Sequence, residues 1–297
     1  MKISGFTLIR NGIKYDYPFV ESIKSLLPLV DELVIAVGKS EDDTLQKVLS
    51  INDSKIKIVE TIWDENLREG GKVLAAETDK AKAAVSPDSD WLIYLQTDEL
   101  IHEKYYPIIK AAMHKYKDDK NVDGLLFHYH HFFGSYQYIA DGIKWYNKEI
   151  RIVRNDKSIY SYKDAQGFRK GNDEKLKVKL IDAFIYHYGW VKNPINMFKK
   201  HTDMGKWWRN DEEQKKYATE SEQKNKGTAF DFNQIDSLAL FTETHPEVMK
   251  NRIESANWEV EVDVSEKHFT SFKQKLFYWM QKKLGWRPGE YKNYKKI

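Results

Sequence analysis

Two acidic residues directly follow an apolar run in the segment WLIYLQTDE. Residues 91–95 are long enough for one buried strand, and Gln96, Thr97, Asp98 and Glu99 come next. Buried parallel strands are continuously apolar, and open α/β sheets bind ligands beyond the carboxyl ends of such strands. Adjacent carboxylates repel each other unless a cation or hydrogen-bond donors offset their charge. The segment therefore predicts either a cation-binding site or a solvated strand end before a helix N-terminus, where the helix dipole favours acids.

The composition excludes several classes of protein. The 297 residues carry a formal net charge of +3, from 48 basic and 45 acidic side chains. This balance, without any RRM, KH or helix-turn-helix signature, argues against a nucleic-acid partner. The sequence has no cysteine, so disulfides, thiolate metal sites and Cys nucleophiles are excluded. It also has no P-loop motif, no apolar run near the length of a membrane span and no signal peptide, so we expect a cytoplasmic protein.

The elements that must position the two acids alternate between strands and helices. Apolar runs predict strands at residues 3–9, 33–37, 56–59 and 91–95, and apolar spacing predicts helices at residues 17–30, 44–49 and 72–85 between them. This alternation predicts an α/β fold with a mostly parallel sheet and helices on both faces. The loops after the first, second and fourth strands should then meet along one edge of the sheet.

Taken in order, these segments resemble the nucleotide-binding half of a family-2 glycosyltransferase with the GT-A fold. The matching segments are TLIRNG at residues 7–12, LVDELVIAVGKSEDDT at residues 29–44, Trp63 with Gly70-Gly71, the Ala-rich helix and WLIYLQTDE. The last segment usually reads W-(apolar)-L-D-A-D-E in that family, so Gln96 replaces the first Asp of its DxD motif. Ala36 likewise stands where an Asp usually follows the second strand.

The resemblance implies an enzyme that transfers a sugar from a nucleotide-diphosphate donor to a hydroxyl acceptor, with inversion, in glycan or polysaccharide assembly. It places Asp98 on a divalent metal, Mn²⁺ or Mg²⁺, which offsets the diphosphate charge. Glu99 would support Asp98 or face the sugar. The full set of implied donor-binding residues is Arg10, Asn11, Glu41, Asp42, Arg68, Lys72, Gln96, Asp98 and Glu99.

Three interpretations of this set stay open at the level of sequence. An amide carbonyl is a poorer metal ligand than a carboxylate, so Gln96 is compatible with a metal held by Asp98, a histidine and the diphosphate. It is equally compatible with a metal-free site, or with a degenerate member that binds a nucleotide or glycan without catalysis. For Arg68 and Lys72 the alternative to diphosphate contact is an ordinary solvated helix face.

Two residues further along the chain complete the site that the resemblance implies. An apolar run ends at His187, which matches the histidine that many GT-A enzymes place on the metal; the alternative is a core histidine. Residues 151–170 contain R-(apolar)-x-R followed by Asp164, which matches the general base of inverting members. The alternatives are that Asp164 only opens a turn, or that Asp173 or Glu174 is the base.

Three histidines lie in the strand-like run LLFHYHH. His128 and His130 alternate with Tyr129, so they should share one face of a strand. Zinc sites use such pairs but need a third ligand, and no partner is evident. We therefore expect a polar sheet face that lines an acceptor pocket.

The predicted organisation is a GT-A-like domain at residues 1–192, with a nucleotide-sugar half at 1–103 and an acceptor half at 104–192, and a C-terminal helical region at 193–297. A stripe at helix spacing, formed by Phe269, Phe272, Leu276, Met280 and Leu284, is flanked by lysines. It predicts a helix that either lies peripherally on the inner face of an anionic membrane, near a lipid-linked acceptor, or docks onto the catalytic domain. The basic tail from residue 289 is expected to fray.

Overall fold

A mixed sheet with helices on both faces organises the chain in a computed structural model, which describes residues 1–67, 69–205, 208–224, 229–232 and 235–297. The strands in this part are β1 (Ile3–Ile9), β2 (Glu32–Gly38), β3 (Ile56–Thr61), β4 (Trp91–Tyr94), β5 (Glu99–Ile101), β6 (Gly124–Phe133), β7 (Tyr138–Ala140), β8 (Lys148–Arg154), β9 (Ile159–Tyr162), β10 (Gly167–Lys170), β11 (Glu174–Trp190), β12 (Leu238–Leu240) and β13 (Tyr294–Lys296). The helices are α1 (Phe19–Leu26), α2 (Thr44–Leu49), α3 (Lys72–Ala83), α4 (Tyr106–Tyr116), α5 (Pro194–Met204), α6 (Asp211–Lys224), α7 (Lys250–Glu254) and α8 (Phe272–Leu284).

The main path of the sheet runs β3-β2-β1-β4-β8-β6-β11-β10-β9. The first four strands are parallel to their neighbours. Strand β8 is antiparallel to both β4 and β6, whereas β6 and β11 are parallel again. The predicted α/β class is therefore confirmed, with the parallel character concentrated in the N-terminal third.

Alternating side chains of the parallel strands pack into two separate cores. In β1, Ile3 and Ile9 pack with the buried stripe of α1, which includes Phe19 and Ile23. Phe6 and Leu8 point to the other face and join the core under α3. Because both faces are covered, β1, β2 and β4 have no exposed position, which explains their continuous apolar sequences, whereas the edge strand β3 exposes Lys57 and Glu60.

Two predictions about flanking segments are wrong. The tail does not simply fray, because Tyr294–Lys296 pairs in parallel with β11. The acids after β4 do not begin a helix: Glu99–Ile101 forms β5, which pairs antiparallel with β11 and sets Glu99 opposite His187. The region after residue 193 contains the helices α5 to α8, as expected, and also the short strand β12, which pairs with β7.

Three members of the predicted apolar stripe of α8, Phe272, Leu276 and Leu284, do not dock onto the residues that the structure describes, which contradicts the docking alternative for them. Phe272 and Leu284 are exposed, and the one buried residue of the helix is the polar Gln274. No helix in the described part of the chain is both long and apolar enough to span a membrane.

Candidate functional site

A cavity of about 600 Å³ opens beyond the carboxyl ends of the parallel strands. It brings together six of the predicted residues, which come from the ends of β1 and β4, from β11 and from the β9–β10 turn. These six, the strand-end wall of the cavity, are Arg10, Asn11, Gln96, Asp98, Asp164 and His187. Residues separated by up to 177 positions in the chain thus meet where open α/β sheets bind ligands.

Asp98 and His187 face each other across a narrow gap. Asp98 Oδ2 lies 3.6 Å from His187 Nε2 and 3.8 Å from Lys200 Nζ. Burial alone would raise the pKa of Asp98, but His187 and Lys200 hold that pKa well below its usual range. A Cβ on Gly189 would come within 2.6 Å of both facing atoms, so only glycine leaves this gap open. Lys200 is oriented by donating a hydrogen bond of 2.8 Å to the Gly189 carbonyl.

A second histidine sets the tautomer of His187. His131 Nε2 lies 2.7 Å from the Tyr146 carbonyl, which can only accept, so this nitrogen carries a proton. Burial, followed by the charge of His187, lowers the pKa of His131 well below its usual value, so His131 is neutral and its Nδ1 is an acceptor. His187 Nδ1, 2.9 Å away, must donate to it. His187 Nε2 is thus the ring nitrogen that faces Asp98, and a metal would bind His187 through this nitrogen in its unprotonated form.

Gln96 connects the end of β4 to the turn that carries Asp164. Its Nε2 lies 3.4 Å from the Ala165 carbonyl, and its backbone nitrogen donates to Glu99 Oε2 over 3.1 Å. An aspartate at this position has a shorter side chain and no donor for that carbonyl. The amide therefore has a positioning role toward the Asp164 turn that a carboxylate would not fill.

The backbone around Asp164 adopts an uncommon conformation. Its neighbours Lys163 and Ala165 have φ angles of 54° and 62°, in the left-handed region that is costly for residues with a Cβ. Gly71 packs so closely that a Cβ there would lie 2.7 Å from the Asp164 Cβ. Burial raises the pKa of Asp164, which makes its carboxylate a stronger base.

Glu99 lies outside the cavity, although it is adjacent to Asp98 in sequence. It is fully buried and forms a two-pronged ion pair with Arg151, with N–O distances of 2.7 and 2.8 Å. It also accepts a hydrogen bond of 2.9 Å from the Tyr129 hydroxyl. These partners leave no free face toward a sugar, so of the two predicted roles only support of the neighbouring loop fits this placement.

The other predicted donor residues are distributed around the rim. Asn11 Oδ1 accepts from the Glu41 backbone nitrogen over 2.8 Å, which ties the β1 and β2 loops together. Glu41 and Asp42 lie outside the cavity and hold Lys14, through its ammonium group and its backbone nitrogen respectively. Lys72 begins α3 and is exposed. Arg68 lies outside the described residues.

Sequence reasoning missed most of the opposite side of the cavity. This helical wall, formed by α5, α6 and their connection, comprises Met197, Lys200, His201, Gly205, Trp208, Arg209 and Tyr217. Tyr217 OH hydrogen-bonds His201 Nε2 at 2.8 Å, and the Arg209 guanidinium lies 3.5 Å from the Tyr217 ring centroid. The mixed apolar and cationic pattern of residues 194–209 could have indicated this side of the cavity, but the same pattern is typical of an ordinary amphipathic helix.

The three histidines of β6 do not form a metal site. His128 and His130 share one face of the strand, as predicted, and both stack on Phe184 with centroid distances of 4.8 and 4.4 Å. His131 points to the opposite face, toward His187. Among the described residues no group of three or more His, Cys, Asp or Glu side chains could hold a metal ion.

Comparisons with known proteins give similarities of fold alone. No model of a known protein family matches the chain, and no curated protein does so either. Among solved structures, S. aureus TarS aligns with 69% of this chain and 39% of its own, at 16% identity and a TM-score of 0.41. Glucosyl-3-phosphoglycerate synthase from Mycobacterium tuberculosis, in complex with Mn²⁺, UDP and phosphoglyceric acid, aligns over 43% of both chains at 18% identity and a TM-score of 0.31.

A third solved structure is a synthase with a different named product. 4-Diphosphocytidyl-2C-methyl-D-erythritol synthase from Anaerococcus prevotii aligns with 69% of this chain and 94% of its own, at 12% identity and a TM-score of 0.39. At these identities and TM-scores the similarities do not distinguish one reaction or substrate from another. The chemistry proposed for this chain rests on its own geometry.

Proposed function

We propose that this chain is a glycosyltransferase that moves a hexosyl group from a nucleotide-diphosphate donor to a hydroxyl acceptor, with inversion. The observation that carries this proposal is the meeting of Asp98, His187 and Asp164 in one cavity at the carboxyl ends of parallel strands. A carboxylate and an imidazole can offset the diphosphate through a cation, while a separate carboxylate removes the acceptor proton.

The proposed roles follow the positions of the side chains. Asp98 and His187 face the diphosphate, Arg10 and Asn11 face the nucleoside side, and Asp164 takes the proton of the attacking hydroxyl. Glu41 and Asp42 act on the donor indirectly, by holding the loop after β2, and Glu99 supports the loop that carries Asp98. Lys72 and Arg68 remain predicted contacts of the diphosphate. On this proposal, residues 1–103 bind the donor, residues 104–192 supply the base and the acceptor face, and residues 193–297 close the cavity.

A divalent ion fits this site when the donor is bound. Asp98 Oδ2 and His187 Nε2 lie 3.6 Å apart and would be its two side-chain ligands. Two protein ligands are few, so the diphosphate and water would complete the shell. The ion would then supply positive charge for the leaving group. Lys200 offers a cation of its own in the same place, which is the basis of a metal-free version of the proposal.

The second candidate is a degenerate member that binds a nucleotide or glycan without transfer. Gln96 favours it, because the amide replaces the carboxylate of the related motif. The turn at Asp164 favours the interpretation as an enzyme, because its strained backbone and raised pKa are costly features that simple binding does not need.

We propose a cytoplasmic setting, with a glycan or lipid-linked acceptor reached at the inner face of the membrane.

Calorimetric titration of the full chain with UDP and GDP, with Mn²⁺ and then with EDTA, tests the donor site. We expect metal-dependent binding that Asp98→Ala abolishes and that Asp88→Ala, an exposed acid paired with Lys2, leaves unchanged. Binding that survives EDTA but fails in Lys200→Met would establish the metal-free version. If neither nucleotide binds wild type, the UDP- and GDP-sugar proposals fail. Binding without transfer or hydrolysis of any UDP- or GDP-sugar supplied would favour the degenerate member.

A further inference from the structure

Helix α8 is amphipathic, but its polar face packs on the protein and its apolar face points away from it, which is the reverse of an ordinary surface helix. Its polar residues at i, i+4 and i+7 face the protein: Gln274 donates to Asp236 over 3.0 Å, and Tyr278 donates to Asp141 over 2.9 Å. Gln281 completes this face by donating to the Asp141 carbonyl over 2.8 Å. The apolar side chains, which normally drive docking of a helix, are left on the other side.

The outward face of this helix is large, aromatic and unpartnered in the described structure. Phe272 is 80% exposed and Trp279 is 51% exposed, and Leu284 and Trp286 continue the exposed surface. Leu276 lies between Phe272 and Trp279 on the same face. A contiguous apolar patch of this kind marks an interaction surface, because single exposed apolar residues are common but clusters are not.

The charge around this face is of one sign. Residues 267–289 contain six basic residues and no acidic one. Lys282 is paired with Asp141 in the protein, whereas Lys273, Lys275 and Lys283 are exposed and form no ion pair with any residue that the structure describes. Lys273 and Lys275 therefore lie on either side of the aromatic face and Lys283 at its C-terminal end, with no acidic neighbour in this stretch to neutralise them.

These features discriminate between two possible occupants. A second copy of the chain related by a twofold axis would bring together two faces that both carry these lysines, which is electrostatically unfavourable. A surface of anionic lipid satisfies both features, because lysines bind the headgroups while tryptophan and phenylalanine rings sit at the boundary with the acyl chains. We propose that α8 and Trp286 lie on an anionic lipid bilayer, with Phe272, Leu276 and Trp279 inserted at the headgroup level.

The contacts that anchor the C-terminal end of α8 also connect its exposed face with the cavity. Arg287 donates to the Ile143 carbonyl over 2.9 Å, just beyond the C-terminal end of α8. In the same segment, Trp145 packs against Trp190 at a centroid distance of 5.8 Å, and Tyr146 lines the cavity. A bilayer that contacts α8 is thus connected to the cavity through residues 143–146. If the proposed transferase function holds, this arrangement suits an acceptor carried by a lipid.

Sedimentation of the full chain with vesicles tests the inference. The vesicles contain phosphatidylcholine alone or mixed with phosphatidylserine, and neither donor nor acceptor is needed, so the result is independent of the proposed reaction. We expect salt-sensitive binding to the mixed vesicles and little binding to phosphatidylcholine alone. Replacing Lys273, Lys275 and Lys283 together by Gln should weaken binding about 100-fold, at about fivefold per lysine.

Trp279→Glu should weaken vesicle binding by at least about tenfold, because it places an acid in the inserted face. Leu49→Glu, at a residue 57% exposed on α2, is the matched control and should bind like wild type. All of these substitutions are at exposed positions, and thermal melts check that the variants are folded. The inference is overturned if wild type does not bind the mixed vesicles, or if Trp279→Glu binds as Leu49→Glu does. A dimer in light scattering that Trp279→Glu dissociates, without vesicle binding, would instead identify a self-association surface.

Discussion

The strand-end wall and the helical wall of the cavity are held by different kinds of contact. Behind the strand-end wall lie the fully buried Glu99–Arg151 ion pair and the His131–His187 hydrogen bond. Within the helical wall, Tyr217 bonds His201 and stacks with Arg209, so these contacts join wall residues to one another. Positions needed for chemistry tolerate little displacement, whereas a wall that contacts an acceptor can adjust to it. On the proposed function, the first wall therefore carries the chemistry, and the second wall closes the cavity over the acceptor.

Among the substitutions that test this difference between the walls, replacement of the proposed base is expected to have the largest effect on the transfer rate. Asp164→Asn keeps the shape of the side chain but cannot accept the hydroxyl proton, so the transfer rate should fall by about 10³-fold. The affinity for the nucleotide should stay within about twofold of wild type, because the base does not hold the donor. Single-turnover rates beside calorimetric affinities measure both quantities. A loss of nucleotide affinity equal to the loss of rate would show that Asp164 belongs to donor binding instead.

The buried ion pair behind the strand-end wall can be removed without changing any residue that lines the cavity. Glu99→Gln leaves Arg151 as a buried charge without its carboxylate, which should lower the free energy of unfolding by at least about 3 kcal/mol. Urea titration measures the loss. Asp88→Asn, which breaks the exposed pair with Lys2, is the control and should change stability little. Equal effects of the two substitutions would contradict a special scaffold role for the buried pair.

The two walls also differ in how well they could be predicted from sequence. Apolar runs that end in polar residues located the ends of β1 and β4, because this signal is local, whereas Asp164 and His187 were indicated by the family resemblance. The same signal could not decide which of two adjacent acids faces the cavity. Glu99 turns away because it begins β5 and meets Arg151, 52 positions further along the chain. The helical wall depends on where α5 and α6 pack, a long-range property that helix periodicity does not encode.

The pH dependence of stability tests a second buried acid behind the strand-end wall. Burial raises the pKa of Glu149 to about 7, although Arg151 acts in the opposite direction. A raised carboxyl pKa favours the folded state below the unfolded pKa of about 4.3, and this contribution is lost as pH rises toward 7. Glu149→Gln should therefore be more stable than wild type by about 3–4 kcal/mol at pH 8, with a smaller difference at pH 5. An equal difference at both pH values in urea titrations would contradict an ionisable Glu149 as the cause.

A substitution that narrows the gap between Asp98 and His187 should have a smaller and more specific effect on nucleotide binding. Gly189→Ala places a methyl group within 2.6 Å of both facing atoms, so it should disturb the ligand pair without removing either ligand. If a metal bridges them, the gain in nucleotide affinity that Mn²⁺ provides should fall about 10–100-fold. Titrations with Mn²⁺ and with EDTA separate that gain from metal-free binding. An unchanged Mn²⁺ effect would mean that the ion does not bind between these two residues.

The helical wall is tested by Trp208→Ala. Trp208 lies beside the Asp164 turn, since a Cβ on Gly71 would approach Trp208 Nε1 to 3.0 Å and the Asp164 Cβ to 2.7 Å. If the ring only supplies a stacking surface for the acceptor, its loss should raise the acceptor KM about tenfold and leave kcat nearly unchanged. Initial rates at varied acceptor concentration separate the two constants. A fall in kcat close to that of Asp164→Asn would place part of the chemistry on the helical wall, because only a residue that shapes the transition state lowers kcat without binding the ground state.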